Sequence, residues 1–277
     1  MPTPNRPNQE RHPVRPEADG AGRKSDTDSA APATSATASG DASVLPEGAA
    51  GLVGRYAHYD VVAYQDKNMK TLIISTGFSD LELRDGTLWN VQRFCHADVV
   101  SDLLEEISMS DTATRAIVPV DTPVEVTEVD GKLHVSRPAT PTAIGIKLED
   151  PANEALPTDP LDPRIFDVDG DGNPGVTSKV KVSDDLEGEI YIARREIFAY
   201  DLIQESSDRL VGHITDRSEQ LVVGASDPIF LVDAQWKQID DRTRNPVIWQ
   251  RVGADWDCAR LAAERDAMFP PAPRADW

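Results

Sequence analysis

Alternation of apolar and polar residues, interrupted by Asp-Gly pairs, is the feature of this sequence that most restricts its fold. Segments 55–64, 69–78 and 87–94 are rich in β-branched, aromatic and leucine residues, as strands are. Asp85-Gly86 stands between two such runs, and Asp130-Gly131 repeats the arrangement. Both pairs favour two-residue type I′ turns. The sequence therefore predicts consecutive antiparallel hairpins.

The alternation continues well beyond these hairpins. Val176, Ser178, Val180 and Val182 occupy alternate positions, with Lys179 between them, which is typical of a strand with one wet face. Similar runs recur to Val252 and give about 10–12 strands. We predict a mainly β fold, an antiparallel up-and-down β-barrel, because closing the sheet removes its exposed edges.

The start of the first strand carries a family resemblance. The run Leu52-Val53-Gly54-Arg55-Tyr56 resembles the Gly-x-Trp start of calycin-type barrels, with Tyr in place of Trp. This resemblance implies a calycin-like, lipocalin-like barrel.

Two helices are expected within the β pattern. Asp98 is suited to cap a short internal helix in which Val99, Leu103 and Ile107 form one apolar stripe. A C-terminal helix is predicted over 255–268 and ends before Pro270.

Residues 1–50 differ in composition from the rest of the chain. They contain no Phe, Trp, Tyr or Cys and are rich in Pro, Ala, Ser and Thr. Such a segment buries too little apolar surface to offset the entropy of ordering, so we predict a disordered tail followed by a β-barrel domain over 51–277. No signal-peptide core and no apolar run of membrane-spanning length is visible. The tail nevertheless resembles a stalk, which favours an extracytoplasmic location, whether periplasmic, cell-surface or secreted.

The charge balance excludes one class of partner. The formal net charge of −20 argues against a nucleic acid or an anionic membrane, both of which need a basic surface. Solubility, adaptation to salt or a specific basic partner accounts for such acidity.

An acidic loop at 167–175 is the strongest candidate site. With Asp167 as position one, Asp169 and Asp171 fall at positions three and five and Gly172 at six, as in the first half of an EF-hand loop. Asn173 offers a carbonyl at position seven, but position twelve is Ser178, where an EF-hand places a glutamate.

Carboxylates so close together repel one another unless a cation lies between them. Oxygen-only ligands favour Ca²⁺, so Asp167, Asp169, Asp171 and Asn173 are the predicted metal ligands. Asp162, Asp184 or Asp185 are further candidates for the coordination shell. The alternative is a solvated acidic turn that binds no ion.

The same loop carries a second resemblance. The run from Asp167 to Thr177, followed by Gly188-Glu-Ile-Tyr-Ile-Ala-Arg-Arg195, resembles uncharacterised predicted envelope or secreted proteins of myxobacterial-type bacteria. This resemblance implies calcium binding and export, and implies no activity.

The two cysteines admit two interpretations. A disulfide between Cys95 and Cys258 would attach the C-terminal helix to the barrel and would require an oxidising compartment. The alternative is a pair of buried free thiols.

Three functions are consistent with these features. The first is a non-enzymatic, calcium-binding β-barrel of the bacterial envelope or exterior. The second is a lipocalin-like carrier of a small apolar ligand. The third is a hydrolase, for which the His-x-Asp pairs His58–Asp60 and His96–Asp98 are the available general-base motifs.

Overall fold

The computed structural model describes residues 45–67, 69–231 and 236–277. These residues form thirteen strands in one antiparallel sheet, together with two α-helices. The elements are β1 (Gly54–Gln65), β2 (Lys70–Arg84), β3 (Thr87–Ser101), β4 (Glu106–Met109), α1 (Asp111–Ala116), β5 (Thr122–Pro123), β6 (Glu125–Val129), β7 (Lys132–Ile144), β8 (Val176–Ser183), β9 (Leu186–Ser206), β10 (Arg209–Asp216), β11 (Glu219–Ala225), β12 (Lys237–Gln238), β13 (Pro246–Arg251) and α2 (Cys258–Met268). The predicted antiparallel β class is confirmed.

Eight of the strands close into a ring, in the order β10-β13-β1-β2-β3-β4-β8-β9 and back to β10. The ring is uneven, because its strands range from four residues in β4 to 21 in β9. The 21-residue strand β9 pairs with β8 and β7 along one edge, and with β11 and β10 along the other. The structure is thus a ring of strands rather than the regular up-and-down barrel that was predicted.

The hairpin predictions at the Asp-Gly pairs are confirmed. Asp85 and Gly86 have φ values of 48° and 80°, and Asp130 and Gly131 have φ values of 53° and 74°. Positive φ at both central positions defines the type I′ turn, and it connects β2 to β3 and β6 to β7.

The predicted internal helix after Asp98 is wrong. Val99 lies in β3 and Ile107 in β4, where the two residues are paired across an antiparallel ladder. Two apolar residues eight positions apart can face each other across a hairpin or lie on the same face of a helix. The spacing alone therefore fits both structures. The short internal helix is α1, which begins after Ser110, whose side chain accepts a hydrogen bond from the Ala113 N–H.

The C-terminal helix is confirmed with a later start. It begins at Cys258 rather than at 255, because the Asp257 carboxylate caps it by accepting the Arg260 N–H at 2.8 Å. No helix among the described residues is long and apolar enough to cross a membrane.

The core has layers inside and outside the ring. Trp249, Tyr56, Tyr200 and Leu202 are buried within it. Outside, α2 and the segment after it cover β1 and β2, with Leu261 and Phe269 packed against this face. Of the predicted tail, residues 1–44 lie outside the described part of the chain, whereas Ala49 is fully buried.

Candidate functional site: an apolar cavity and an acidic loop

The acidic loop lies between β7 and β8, where its ends are held together by backbone hydrogen bonds. The Gly175 N–H donates to the Phe166 carbonyl at 3.0 Å, and the Val168 N–H donates to the Gly175 carbonyl at 3.2 Å. Gly170 and Gly172 have φ values of 74° and 92°, which bend the chain between these contacts. The loop therefore holds its three aspartates on one short turn.

The three carboxylates have different surroundings. Asp167 accepts the N–H groups of Gly172 at 2.8 Å and Gly170 at 2.6 Å, which lowers the pKa of its carboxyl group. Asp169 accepts the Thr177 N–H at 3.2 Å through Oδ2, while its Oδ1 is buried with no hydrogen-bond partner. Burial raises the pKa of Asp169. Asp169 therefore has one buried carboxylate oxygen that accepts no hydrogen bond.

The structure brings together three of the four predicted metal ligands. One carboxylate oxygen from each of Asp167, Asp169 and Asp171 lies within 4.8 Å of the others. The Asn173 N–H donates to Asp171 Oδ1 at 2.8 Å, so Asn173 belongs to the same turn. This arrangement of oxygens is chemically suited to a hard cation.

Two of the three additional candidate ligands, Asp162 and Asp184, form ion pairs elsewhere. Asp162 forms an ion pair with Arg164 at 2.9 Å, and the guanidinium lowers the pKa of Asp162 to about 2. Asp184 pairs with Lys181 at 2.8 Å in the turn between β8 and β9. Ser178, at the EF-hand glutamate position, faces the interior of the ring.

The predicted disulfide between Cys95 and Cys258 is present. It joins β3 to the first residue of α2. In β3, Phe94 pairs with Gly77 and His96 with Thr76, so Cys95 is the extra residue of a bulge. The bridge fastens α2 to the outside of the ring.

The two His-x-Asp pairs lie in opposite environments. His58 is fully buried, and burial lowers its pKa to about 3, so its contact with Asp60 at 3.9 Å is not an ion pair. His96 lies on the surface and contacts Asp111 at 2.7 Å and Asp98 at 2.9 Å. Burial alone would lower the pKa of His96, but these two carboxylates raise it overall.

A cavity of about 390 Å³ lies inside the ring. It is lined by the inward-facing side chains of β2, β3, β4, β7, β8, β9 and β11, and most of these side chains are aliphatic. Representative lining residues are Ile107, Ile144, Val176, Val180, Ile190 and Ile192. The predicted alternation of β8 is confirmed, because all four of its inward residues, including Ser178, line the cavity.

The lining of the cavity changes character along β9. Leu186, Ile190 and Ile192 come first, and Arg194 and Glu196 follow at the next alternate positions. At one part of the rim, Leu103 and Ile229 are 57% and 60% exposed although both line the cavity. The cavity is therefore largely apolar and has an ionic region.

A smaller cavity of about 40 Å³ lies against this ionic region; we call it the polar chamber. It shares five residues with the larger cavity: Ile73, Ser75, Phe94, Arg194 and Glu196. Its remaining lining combines polar and apolar side chains: Asp60, Asp216, Tyr64, Tyr200, Val62, Phe198 and Ile214. The Tyr200 hydroxyl donates to Asp60 Oδ2 at 3.0 Å. Burial nevertheless raises the pKa of Asp60 to about 7.

Sequence reasoning missed these ionic residues. The signal was available: Ile190, Ile192, Arg194 and Glu196 share one parity of a strand, which places two charges on an otherwise apolar face. Two charged side chains on that face therefore point into the ring.

Comparison with known proteins adds no identification: no family model, curated protein or solved structure matches this chain.

Proposed function

We propose that this protein binds a small, predominantly apolar molecule inside its ring of strands, as a calycin-like carrier or receptor. The observation that carries this proposal is the cavity of about 390 Å³ with its aliphatic lining. Small-molecule sites in proteins have volumes of roughly 300–1,000 Å³ and are lined mostly by apolar side chains with a few polar groups. The exposed apolar side chains of Leu103 and Ile229 supply a rim that an apolar molecule can cross.

Packing energetics support the same function. Protein interiors are normally filled to high density, and side chains that line a void lose dispersion contacts on that side. An apolar ligand restores these contacts and leaves water for an apolar environment, so both terms favour binding.

The test is titration with a neutral, environment-sensitive probe such as N-phenyl-1-naphthylamine. We expect saturable fluorescence enhancement with one probe per chain. The variant Val180→Phe places a larger side chain in the cavity and should weaken binding by about 10-fold or more. Val129→Phe makes the same substitution at a residue that is 47% exposed and should bind the probe like the wild type. Equal affinities for all three proteins, or no saturable binding, would refute the proposal.

A second candidate function is Ca²⁺ binding by the acidic loop. It is favoured by the three carboxylate oxygens within 4.8 Å of one another and by the buried, unpartnered Oδ1 of Asp169. A divalent cation would neutralise their repulsion and give that atom a ligand. Calcium binding and ligand binding are compatible, because the acidic loop is not part of the cavity lining.

Thermal unfolding with saturating Ca²⁺ and with excess chelator tests this second function. At a free Ca²⁺ concentration of 100 times Kd, binding stabilises the native state by about 2.7 kcal/mol, so Tm should rise by several degrees. Asp169→Asn should abolish the rise, whereas Asp85→Asn, which removes the same charge at the exposed β2–β3 turn, should retain it. An unchanged Tm in the wild type would contradict calcium binding.

The disulfide supports a location outside the cytoplasm. Bridges such as Cys95–Cys258 persist in oxidising compartments and are rare where thiols are kept reduced. We therefore propose that the carrier works in the bacterial envelope or exterior.

A further inference from the structure

We propose that the ligand is a cationic amphiphile, with its apolar body in the large cavity and an amine-type head at Glu196 and the polar chamber. This inference rests on the proposed ligand-binding function and adds the chemical class of the ligand.

The polarity gradient of the cavity sets the orientation of the ligand. Along β9, the lining passes from Leu186, Ile190 and Ile192 to Arg194 and Glu196, and beyond these to Tyr200 in the polar chamber. An apolar chain can pack against aliphatic side chains in the first part, and a polar head meets ionisable groups in the second. The chamber has a volume of about 40 Å³, which is enough for a small polar group such as an ammonium.

The balance of charge selects the sign of the head. Three carboxylates, those of Asp60, Glu196 and Asp216, line the polar chamber together with one guanidinium, that of Arg194. A second buried arginine, Arg137, lies against the Phe198 and Tyr200 rings, 4.6 Å and 5.7 Å from their centroids. Even with Arg137 included, the carboxyl groups around the chamber outnumber the guanidinium groups, three to two.

Arg194 is already engaged by the protein. Its Nε donates to Glu196 at 3.1 Å, its Nη1 to Gln220 at 3.2 Å and its Nη2 to the Tyr64 hydroxyl at 3.3 Å. These bonds use three of its five N–H donors, and an anionic head that took the remaining two would approach the Glu196 carboxylate. Glu196 itself has Arg194 as its only ion-pair partner among the described residues, and its carboxylate faces both cavities.

The pKa shifts of these carboxyl groups also favour a cationic head. Burial raises the pKa of Glu196, and the nearby Asp216 raises it further although Arg194 opposes both effects. Burial also raises the pKa of Asp60, with Glu196 and Asp216 contributing in the same direction. An ammonium in the chamber would favour the ionised form of both carboxyl groups.

The experiment compares three ligands of equal chain length, namely decylamine, decan-1-ol and decanoate, by displacement of N-phenyl-1-naphthylamine from the full-length protein. Physiological ionic strength limits non-specific attraction of the amine to the acidic surface. We expect decylamine to bind about 10-fold more tightly than decan-1-ol, because a charge-assisted hydrogen bond replaces a neutral one, and decanoate to bind most weakly.

Two variants separate the specific contact from net charge. Glu196→Gln should remove the preference for decylamine and leave the affinity for decan-1-ol unchanged. Glu264→Gln makes the same charge change on the exposed face of α2 and should retain the preference. If Glu196→Gln fails to fold, the ligand series on the unaltered protein decides the question.

The outcomes are distinguishable from failure of the ligand-binding function itself. Equal affinities for the three ligands, or tighter binding of decanoate, would overturn the cationic head and leave the apolar cavity site intact. If neither the probe nor decan-1-ol binds, the proposed function fails, and the inference fails with it.

Discussion

Removal of the Cys95–Cys258 bridge is expected to lower the free energy of unfolding by about 5 kcal/mol. The two cysteines are 163 residues apart. On the chain-entropy model, a cross-link across a loop of that length removes about 17 cal/mol/K from the entropy of the unfolded chain, which corresponds to about 5 kcal/mol at 298 K. Because single domains are stable by only about 5–15 kcal/mol, the bridge is a large part of the total.

The assay is equilibrium urea unfolding, followed by tryptophan fluorescence, of Cys95→Ala, Cys258→Ala and the double variant. Any one of these substitutions removes the bridge, so all three proteins should lose the same free energy and the single losses should not add. The slope of the free energy with urea should rise in each variant, because the unfolded chain without the cross-link exposes more surface. Wild-type protein unfolded with a reductant present should match the double variant.

Two results would refute this reasoning. A loss below about 1 kcal/mol would mean that the cross-link does not restrict the unfolded chain as the entropy model requires. Additive losses from the two single variants would mean that packing of the sulfur atoms, rather than the bond between them, carries the stability. In either case α2 would be held mainly by the packing of Leu261 and Phe269.

Three further predictions follow from individual residues. As the pH rises from about 4 to about 8, the stability of Asp60→Asn relative to the wild type should increase by up to about 4 kcal/mol. The native wild type holds a proton up to the raised pKa of about 7, whereas its unfolded state already loses it at a pKa of 3.8. A difference in unfolding free energy that is independent of pH would contradict this. Gly175→Ala should lower the free energy of unfolding by about 2 kcal/mol or more, because a Cβ at its φ of +81° would lie 2.4 Å from the Ile192 carbonyl oxygen. Gly172→Ala, at a φ of +92° but with open space around the Cβ, should lower it by only about 1 kcal/mol. Equal losses in urea unfolding would count against the steric argument. Leu261→Ala should lower the free energy of unfolding by about 2–5 kcal/mol, because the Leu261 side chain is buried between α2 and the ring. Leu161→Ala, at a residue that is 85% exposed, should change it by less than about 0.5 kcal/mol. Similar melting temperatures for both variants would contradict the packing of α2.

The features that the sequence predicted correctly are those decided within a few residues. The turns at Asp85-Gly86 and Asp130-Gly131 depend on the local need for positive φ, and the clustering of Asp167, Asp169 and Asp171 depends on spacing within one loop. The pairing of Cys95 with Cys258 was decided between two alternatives only by the structure.

The features that the sequence did not predict depend on distant partners. Nothing local to β9 indicates that its two edges are shared by four strands, and this sharing makes the ring uneven. Val99 and Ile107 fit a helix until their ladder partners are known. The cavity is hidden for a similar reason, because Val176 and Val180 have the same pattern whether they fill a core or line a void.

The position of β13 in the ring has a consequence for biosynthesis. This strand, Pro246–Arg251, lies between β1 and β10, so the N-terminal strand of the ring waits for a partner made almost two hundred residues later. While the nascent chain lacks β13, the backbone edges of β1 and β10 are unpaired and available to other chains. Ring closure is therefore a late event that follows synthesis of nearly the whole domain, and until then the chain depends on protection from aggregation.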